Sequence, residues 1–234
     1  MTFPVWISLG PWRLHPHVVF ELLGYVTAVG LVVWQRSRVG DTLRRDQRVM
    51  VAAAALIGSV AGSWLLAWPS GKTVVGGLIG GLVAVEWIKR RIGVTVRTGD
   101  LFVFPACVGM AIGRIGCFLS GLSDNTYGVA TTWVLGVDFG DGVRRHPTQL
   151  YDMAFLALLA GVLWALRHRF TRPGGLFRAF MVAYFTWRLG VDFLKPEPRI
   201  LAGLSVIQWA AVAMLAYYAH SAWVARGKPQ HRLT

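Results

Sequence analysis

Two arginines stand where a lipid bilayer least tolerates them. Arg114 lies inside the apolar run 101–119, and Arg188 repeats the anomaly inside 176–194. Insertion scales put an arginine at the centre of a bilayer helix at roughly 2.5 to 3.5 kcal/mol unfavourable, and intramembrane ionisable groups are functional by default. A guanidinium keeps its charge and presents a planar fork of donors that matches a pair of phosphate oxygens. Two of them suggest an anionic ligand, and in a bilayer the obvious anion is a phospholipid headgroup. The alternative is purely structural: each arginine pairs with an internal carboxylate such as Glu21, Glu86 or Asp192.

Around Arg188 the polar residues are ordered. Tyr184, Arg188, Asp192 and Lys195 recur at i, i+4, i+8 and i+11, one stripe of an α-helix. The stripe reads either as a polar seam facing a cavity, with Arg188 on a phosphate, or as a helix end in which Arg188 pairs with Asp192. Cys117 falls three residues after Arg114, on the same helical face. Cys107 reads as a small core residue, and at about 15 Å along the axis it is beyond disulfide reach of Cys117. Two cysteines and six scattered histidines show no zinc-type spacing, so neither a metal nor another cofactor is expected. His146 precedes Pro147 at the mouth of a predicted helix, where a histidine serves as interfacial cap or as proton acceptor.

The elements that must position these residues are membrane helices. The chain is 55% hydrophobic and 15% charged, with 11 Trp and a mean hydropathy of +0.51, too apolar for an ordinary soluble domain. Seven segments approach the roughly 20 apolar residues a span requires: 17–34, 49–68, 73–88, 101–121, 149–166, 176–194 and 204–224. The predicted fold is therefore all-α, a polytopic integral membrane protein with seven transmembrane helices forming one domain over 1–234. No cleaved signal peptide is expected at the start of the chain. Gly76, Gly77, Gly80 and Gly81 on the third helix form an overlapping small-xxx-small pattern for close helix packing, which also leaves room for an acyl chain. In the long segment before His146, Asp138-Phe139-Gly140-Asp141-Gly142 reads as a hairpin tip.

Charge distribution settles what the net charge of +13 means. Sixteen of the 24 Lys and Arg fall in the segments joining helices 1 to 2, 3 to 4 and 5 to 6 and in the C-terminus, against six on the opposite side. The positive-inside rule then puts the N-terminus outside and the C-terminus in the cytoplasm. Such a basic face suits anionic lipid, not nucleic acid.

Three motifs resemble the prolipoprotein diacylglyceryl transferase family over about 75–195. Gly113-Arg114-Ile115-Gly116-Cys117-Phe118 is similar to its GRxGNF signature, and Arg145-His146-Pro147-Thr148-Gln149-Leu150-Tyr151 to its RHPSQLYE. Tyr184, Arg188, Asp192 and Lys195 resemble the Tyr, Arg, Glu and Arg of its sixth helix, and Asp100 resembles a family acidic position. The resemblance implies transfer of the diacylglyceryl group of phosphatidylglycerol to a lipobox cysteine of a secreted precursor, at the external face of a bacterial inner membrane. It implies catalytic roles for Arg114 and Arg188, and it leaves activation of the acceptor thiol to His146 as general base, to the field of the two arginines, or to Cys117 as a covalent relay. It also implies substrate contacts by Tyr184, Gln149, Gly76, Gly77, Cys117, Asp124, Gly128, Asp192 and Lys195. The chain departs from the family where Val75 replaces the His of an HGG motif, where Cys117 and Ser120 replace Asn, where Asp124 stands for Glu ahead of Gly128, and where Phe20 stands for a first-helix Tyr. Two other readings stay open: a related transferase with a different acceptor, and a lipid-binding or transport protein.

Overall fold

The computed structural model describes residues 3–39, 42–67 and 71–227, and side chains through 38 and 224 at the ends of the first and last of these stretches. Trp68, Lys228 and Arg232 of the segments and charges counted above lie outside the described residues, as does the side chain of Arg226. Among the described residues the fold is mostly helical: α1 (Pro16–Val39), α2 (Arg45–Ala67), α3 (Val74–Arg91), α4 (Val103–Ser120), α5 (Thr148–Leu166), α6 (Gly175–Val191) and α7 (Val206–Gly227). Each coincides with one of the apolar segments. Among the described residues, four stretches are long and apolar enough to cross a membrane: Pro16–Arg38, Arg45–Ala67, Gly99–Asp124 and Thr148–Arg169. α3 fails that test because Glu86 and the basic end Lys89, Arg90 and Arg91 are part of the helix itself; the same basic end complements the helix dipole.

Local chemistry accounts for the helix boundaries. Pro16 opens α1, where its missing N–H costs no helical bond. Pro147 sits one residue outside α5, as its N-cap, rather than at the first helical position. α4 ends at Gly121, whose φ of +62° a side chain would strain. Two hairpins accompany the helices, β1 (Ile7–Leu9) with β2 (Trp12–Leu14) and β3 (Val137–Asp138) with β4 (Arg144–Arg145). The tip between β3 and β4 is the expected one: Asp138 Oδ1 accepts from the backbone N–H of Gly140 and Gly142.

The chain divides into two compact units. The first comprises Met1–Asp41, Arg97–Phe180 and Phe193–Glu197. Within it α1 lies against α4 at Gly24 and Gly109, where a Cβ on Gly24 would stand 2.6 Å from the Gly109 carbonyl oxygen. Asp100 caps α6, accepting from the backbone N–H of Gly174 at 2.6 Å and Phe177 at 2.8 Å. The second unit comprises Thr42–Val96, Met181–Asp192 and Pro198–Thr234. There Gly58 and Gly62 of α2 meet Gly76 and Gly80 of α3 backbone to backbone, so that a side chain at any of the four would collide. The space expected beside Gly76 for an acyl chain is thus filled by α2, because close helix approach uses the whole volume the missing side chain leaves.

Candidate active site

Arg114, in the middle of α4, is buried in the first unit and its Nε lies 3.0 Å from Asp152 Oδ2 on α5. The internal carboxylate anticipated for it exists, but it is Asp152 rather than Glu21, Glu86 or Asp192. The side chains are only 10% and 5% exposed, so each charge is held by the other rather than by water. Asp152 follows Tyr151 at the position of the Glu in the family's RHPSQLYE, a signal by which the motif could have named it. One turn before it, Gln149 is fully buried, with no hydrogen-bond partner for either amide atom among the described residues. Such a group costs free energy unless something pairs with it.

On the face of α4 beside Arg114 a second cluster converges. Arg114 Nη1 is 3.8 Å from Cys117 Sγ, which in turn lies 3.8 Å from His17 Nδ1 at the start of α1. The same Nδ1 is 2.6 Å from Asp124 Oδ1, in the turn after α4. His17 Nε2 faces Glu21 Oε2 at 3.5 Å, one helical turn along α1, and Glu21 Oε1 accepts from the Tyr25 hydroxyl. Thr126 donates to the other Asp124 oxygen at 2.7 Å. His17, Cys117 and Asp124 offer three ligand-type atoms within 4.8 Å of one another. Sequence spacing showed no metal-ligand pattern because the three come from three separate elements; His17 itself was overlooked.

The remaining candidates of this unit have plainer surroundings. His146 is half-buried, its Nδ1 3.1 Å from the Tyr151 hydroxyl and its ring beside Trp133. Gly128 lies where any Cβ would strike His146 and the Leu194 carbonyl, which explains a glycine by close approach. Lys195 is buried. On the β3–β4 hairpin, outside the helices, Arg145 donates two 2.7 Å hydrogen bonds to the Asp141 carboxylate. They hold that carboxyl down at about 2, and Asp141 in turn raises Arg145.

In the second unit Arg188 Nη2 is 2.6 Å from Asp192 Oδ1, and both are buried. The pairing reading of the stripe is therefore present as a contact. Tyr184 is buried one turn before Arg188. Arg199 braces the turn from outside, donating to the Asp192 carbonyl at 3.0 Å and to Gln208 Oε1 at 2.5 Å. Gly76 is buried in helix packing, while a Cβ at Gly77 would make only ordinary contacts with Ser59 and Ser63.

Known proteins are similar in sequence over most of the chain. A phosphatidylglycerol--prolipoprotein diacylglyceryl transferase of Geobacter sulfurreducens is 30% identical over 229 residues, covering 86% of this chain and 85% of its own. One of Vibrio vulnificus is 26% identical over 251 residues, with 88% and 91% covered, and one of Solidesulfovibrio magneticus is 28% identical, with 91% and 88% covered. The family profile described as prolipoprotein diacylglyceryl transferase matches residues 4–224. With its arginine motif at Arg114 inside that match, the chain belongs to the prolipoprotein diacylglyceryl transferase family.

Proposed function

We propose that this chain transfers the diacylglyceryl group of phosphatidylglycerol to the thiol of a lipobox cysteine in a secreted precursor, releasing glycerol phosphate. What carries the reading is the family match over 4–224 together with the buried guanidinium of Arg114 inside the matched arginine motif. Cleavage of the bond between the glyceryl carbon and oxygen builds negative charge on the phosphate. A preorganised guanidinium in a water-poor site is worth most against charge that develops in the transition state. We assign that role to Arg114 and, separately, to Arg188, and proton transfer to His146. Gln149, with its unpartnered buried amide, is assigned to the polar part of the donor lipid. Tyr184, Asp192, Lys195, Cys117, Asp124, Gly77 and Gly128 complete the proposed substrate surroundings.

The same reading includes seven spans in a bacterial inner membrane, an external N-terminus and an active site toward the external face. Large apolar side chains exposed on α1 and α2, such as Val26, Ile57 and Leu65, support lipid contact. Purified protein in mixed micelles, given glycerol-labelled phosphatidylglycerol and a lipobox peptide, is expected to release glycerol phosphate and add a diacylglyceryl group to the peptide cysteine. A second reading, another acceptor for the same donor, draws support from Cys117 at the family's Asn position. Glycerol phosphate release that needs membrane extract and ignores the lipobox peptide would select it.

A further inference from the structure

We propose that His17, Cys117 and Asp124 bind a zinc ion whose fourth position takes the acceptor cysteine as thiolate, an inference that rests on the transfer reaction proposed above. The donor set is one imidazole nitrogen, one thiol sulfur and one carboxylate oxygen, all within 4.8 Å of one another. Zinc takes these ligands at about 2.0 to 2.3 Å in tetrahedral geometry, and a site with three protein ligands keeps one position open for chemistry. Those bond lengths require ligand atoms about 3.4 to 3.6 Å apart. Of the observed separations, the 3.8 Å from Nδ1 to Sγ lies close to that range, while the 2.6 Å hydrogen-bonded contact from Nδ1 to Oδ1 is shorter and must open as a metal replaces the proton between them. Side-chain adjustments of less than about 1 Å convert the cluster into a coordination sphere.

The surroundings favour this over a chance meeting of three polar groups. A metal-binding histidine ordinarily has its other ring nitrogen held by a carboxylate or carbonyl, which fixes the ring and its tautomer. Here Glu21 faces His17 Nε2 at 3.5 Å and is itself held by Tyr25. Asp124 keeps one oxygen on Thr126, leaving Oδ1 as a monodentate ligand. A thiolate and a carboxylate also neutralise a doubly charged ion, so the assembled site carries no net charge into a low-dielectric region. The positive charge nearby, on Arg114, is already engaged by Asp152. When an acceptor thiolate adds a negative charge, that guanidinium stands 3.8 Å from the Cys117 sulfur to offset it.

The chemistry answers a need of the proposed reaction, in which the acceptor thiol must be ionised before it attacks. A thiol attacks as thiolate, and a metal-bound thiol is deprotonated outright. The acceptor S–H bond breaks as the zinc–sulfur bond forms, its proton passing to water. The sulfur pair then attacks the glyceryl carbon, the carbon–oxygen bond breaks with its electrons going to the phosphate oxygen, and the thioether leaves the metal. Nothing is oxidised or reduced.

The test uses the full chain in detergent micelles. Elemental analysis is expected to find about one zinc per chain, falling at least tenfold in Cys117→Ser, His17→Ala and Asp124→Asn, with Glu21→Gln binding about 10- to 100-fold more weakly. Cobalt exchanged into the wild-type protein is expected to show a thiolate-to-metal absorption band that the lipobox peptide intensifies and its Cys→Ser version does not. Should the single variants fail to fold, this wild-type spectrum decides alone. The inference is overturned if wild-type protein neither carries nor takes up Zn²⁺ or Co²⁺ at micromolar concentration, if cobalt binds without the thiolate band, or if the peptide thiol leaves the band unchanged. Transfer by a metal-free protein sinks this inference alone; a metal-loaded protein without transfer sinks the proposed reaction alone.

Discussion

Arg114 shows how a charge is made tolerable inside a membrane protein without being spent. Its pairing with Asp152 uses one carboxylate oxygen at Nε, and the far side of the guanidinium turns to Cys117. Asp152 is expected to act through Arg114, as a positioning residue. Asp152→Asn, which keeps shape and loses charge, is expected to lower kcat more than it raises KM. A purely structural role would instead lower thermal stability with kinetics unchanged at temperatures where the fold holds. Arg114→Ala removes the charge that pairs with the buried Asp152, a change of about 3 to 5 kcal/mol. Turnover should fall by several orders of magnitude even where circular dichroism reports a folded protein, and Arg114→Lys should rescue little because an ammonium lacks the fork. The pair Asp141 and Arg145 on the β3–β4 hairpin titrates apart from this chemistry. The carboxyl is depressed in the folded state, so its contribution is present above the ordinary value near 4. It fades as pH falls through about 2. Arg145→Ala is expected to return the Asp141 carboxyl to the ordinary range in an NMR titration; an unmoved resonance would show that the two hydrogen bonds are not the cause.

At the scale of elements, two helix contacts depend on missing side chains. α2 and α3 approach through Gly58, Gly62, Gly76 and Gly80, and van der Waals packing rather than a hydrophobic driving force holds such pairs in lipid. Gly62→Leu or Gly76→Leu should therefore separate the helices and lower the melting temperature by several degrees. Gly77→Ala, which meets only ordinary contacts, should be nearly silent. Equal effects at Gly76 and Gly77 would show that the close approach is not what the glycines serve. The start of α6 is anchored differently, by the Asp100 carboxylate on two backbone N–H groups. Asp100→Ala is expected to cost about 1 to 2 kcal/mol as a lost cap, read by thermal unfolding in micelles. This accounts for an acidic residue at a family position by folding rather than by chemistry.

For the whole molecule, orientation follows from charge placement. Reporters fused after Arg45, Arg91 and Arg169 are expected in the cytoplasm, and one near Gly140 outside. A cytoplasmic Gly140 fusion would reverse the proposed orientation and move the hairpin that leads into His146 to the wrong side for a secreted acceptor.

Seven apolar segments were legible in the sequence, and each is a helix within a few residues of its expected bounds, because hydrophobic length and terminal charges act locally. Arg114 and Arg188 were legible for the same reason: a fixed charge in an apolar run needs no partner to be conspicuous. The motifs, read as a resemblance, led to the family. Partners were another matter. Asp192 lies one turn from Arg188 on the same helix and could be named from spacing, whereas Asp152 reaches Arg114 from a different helix and could not. His17 and Cys117 are 100 residues apart and meet because α1 packs along α4. A spacing rule sees ligands only when one element carries them; a site assembled from three elements exists only once those elements are packed.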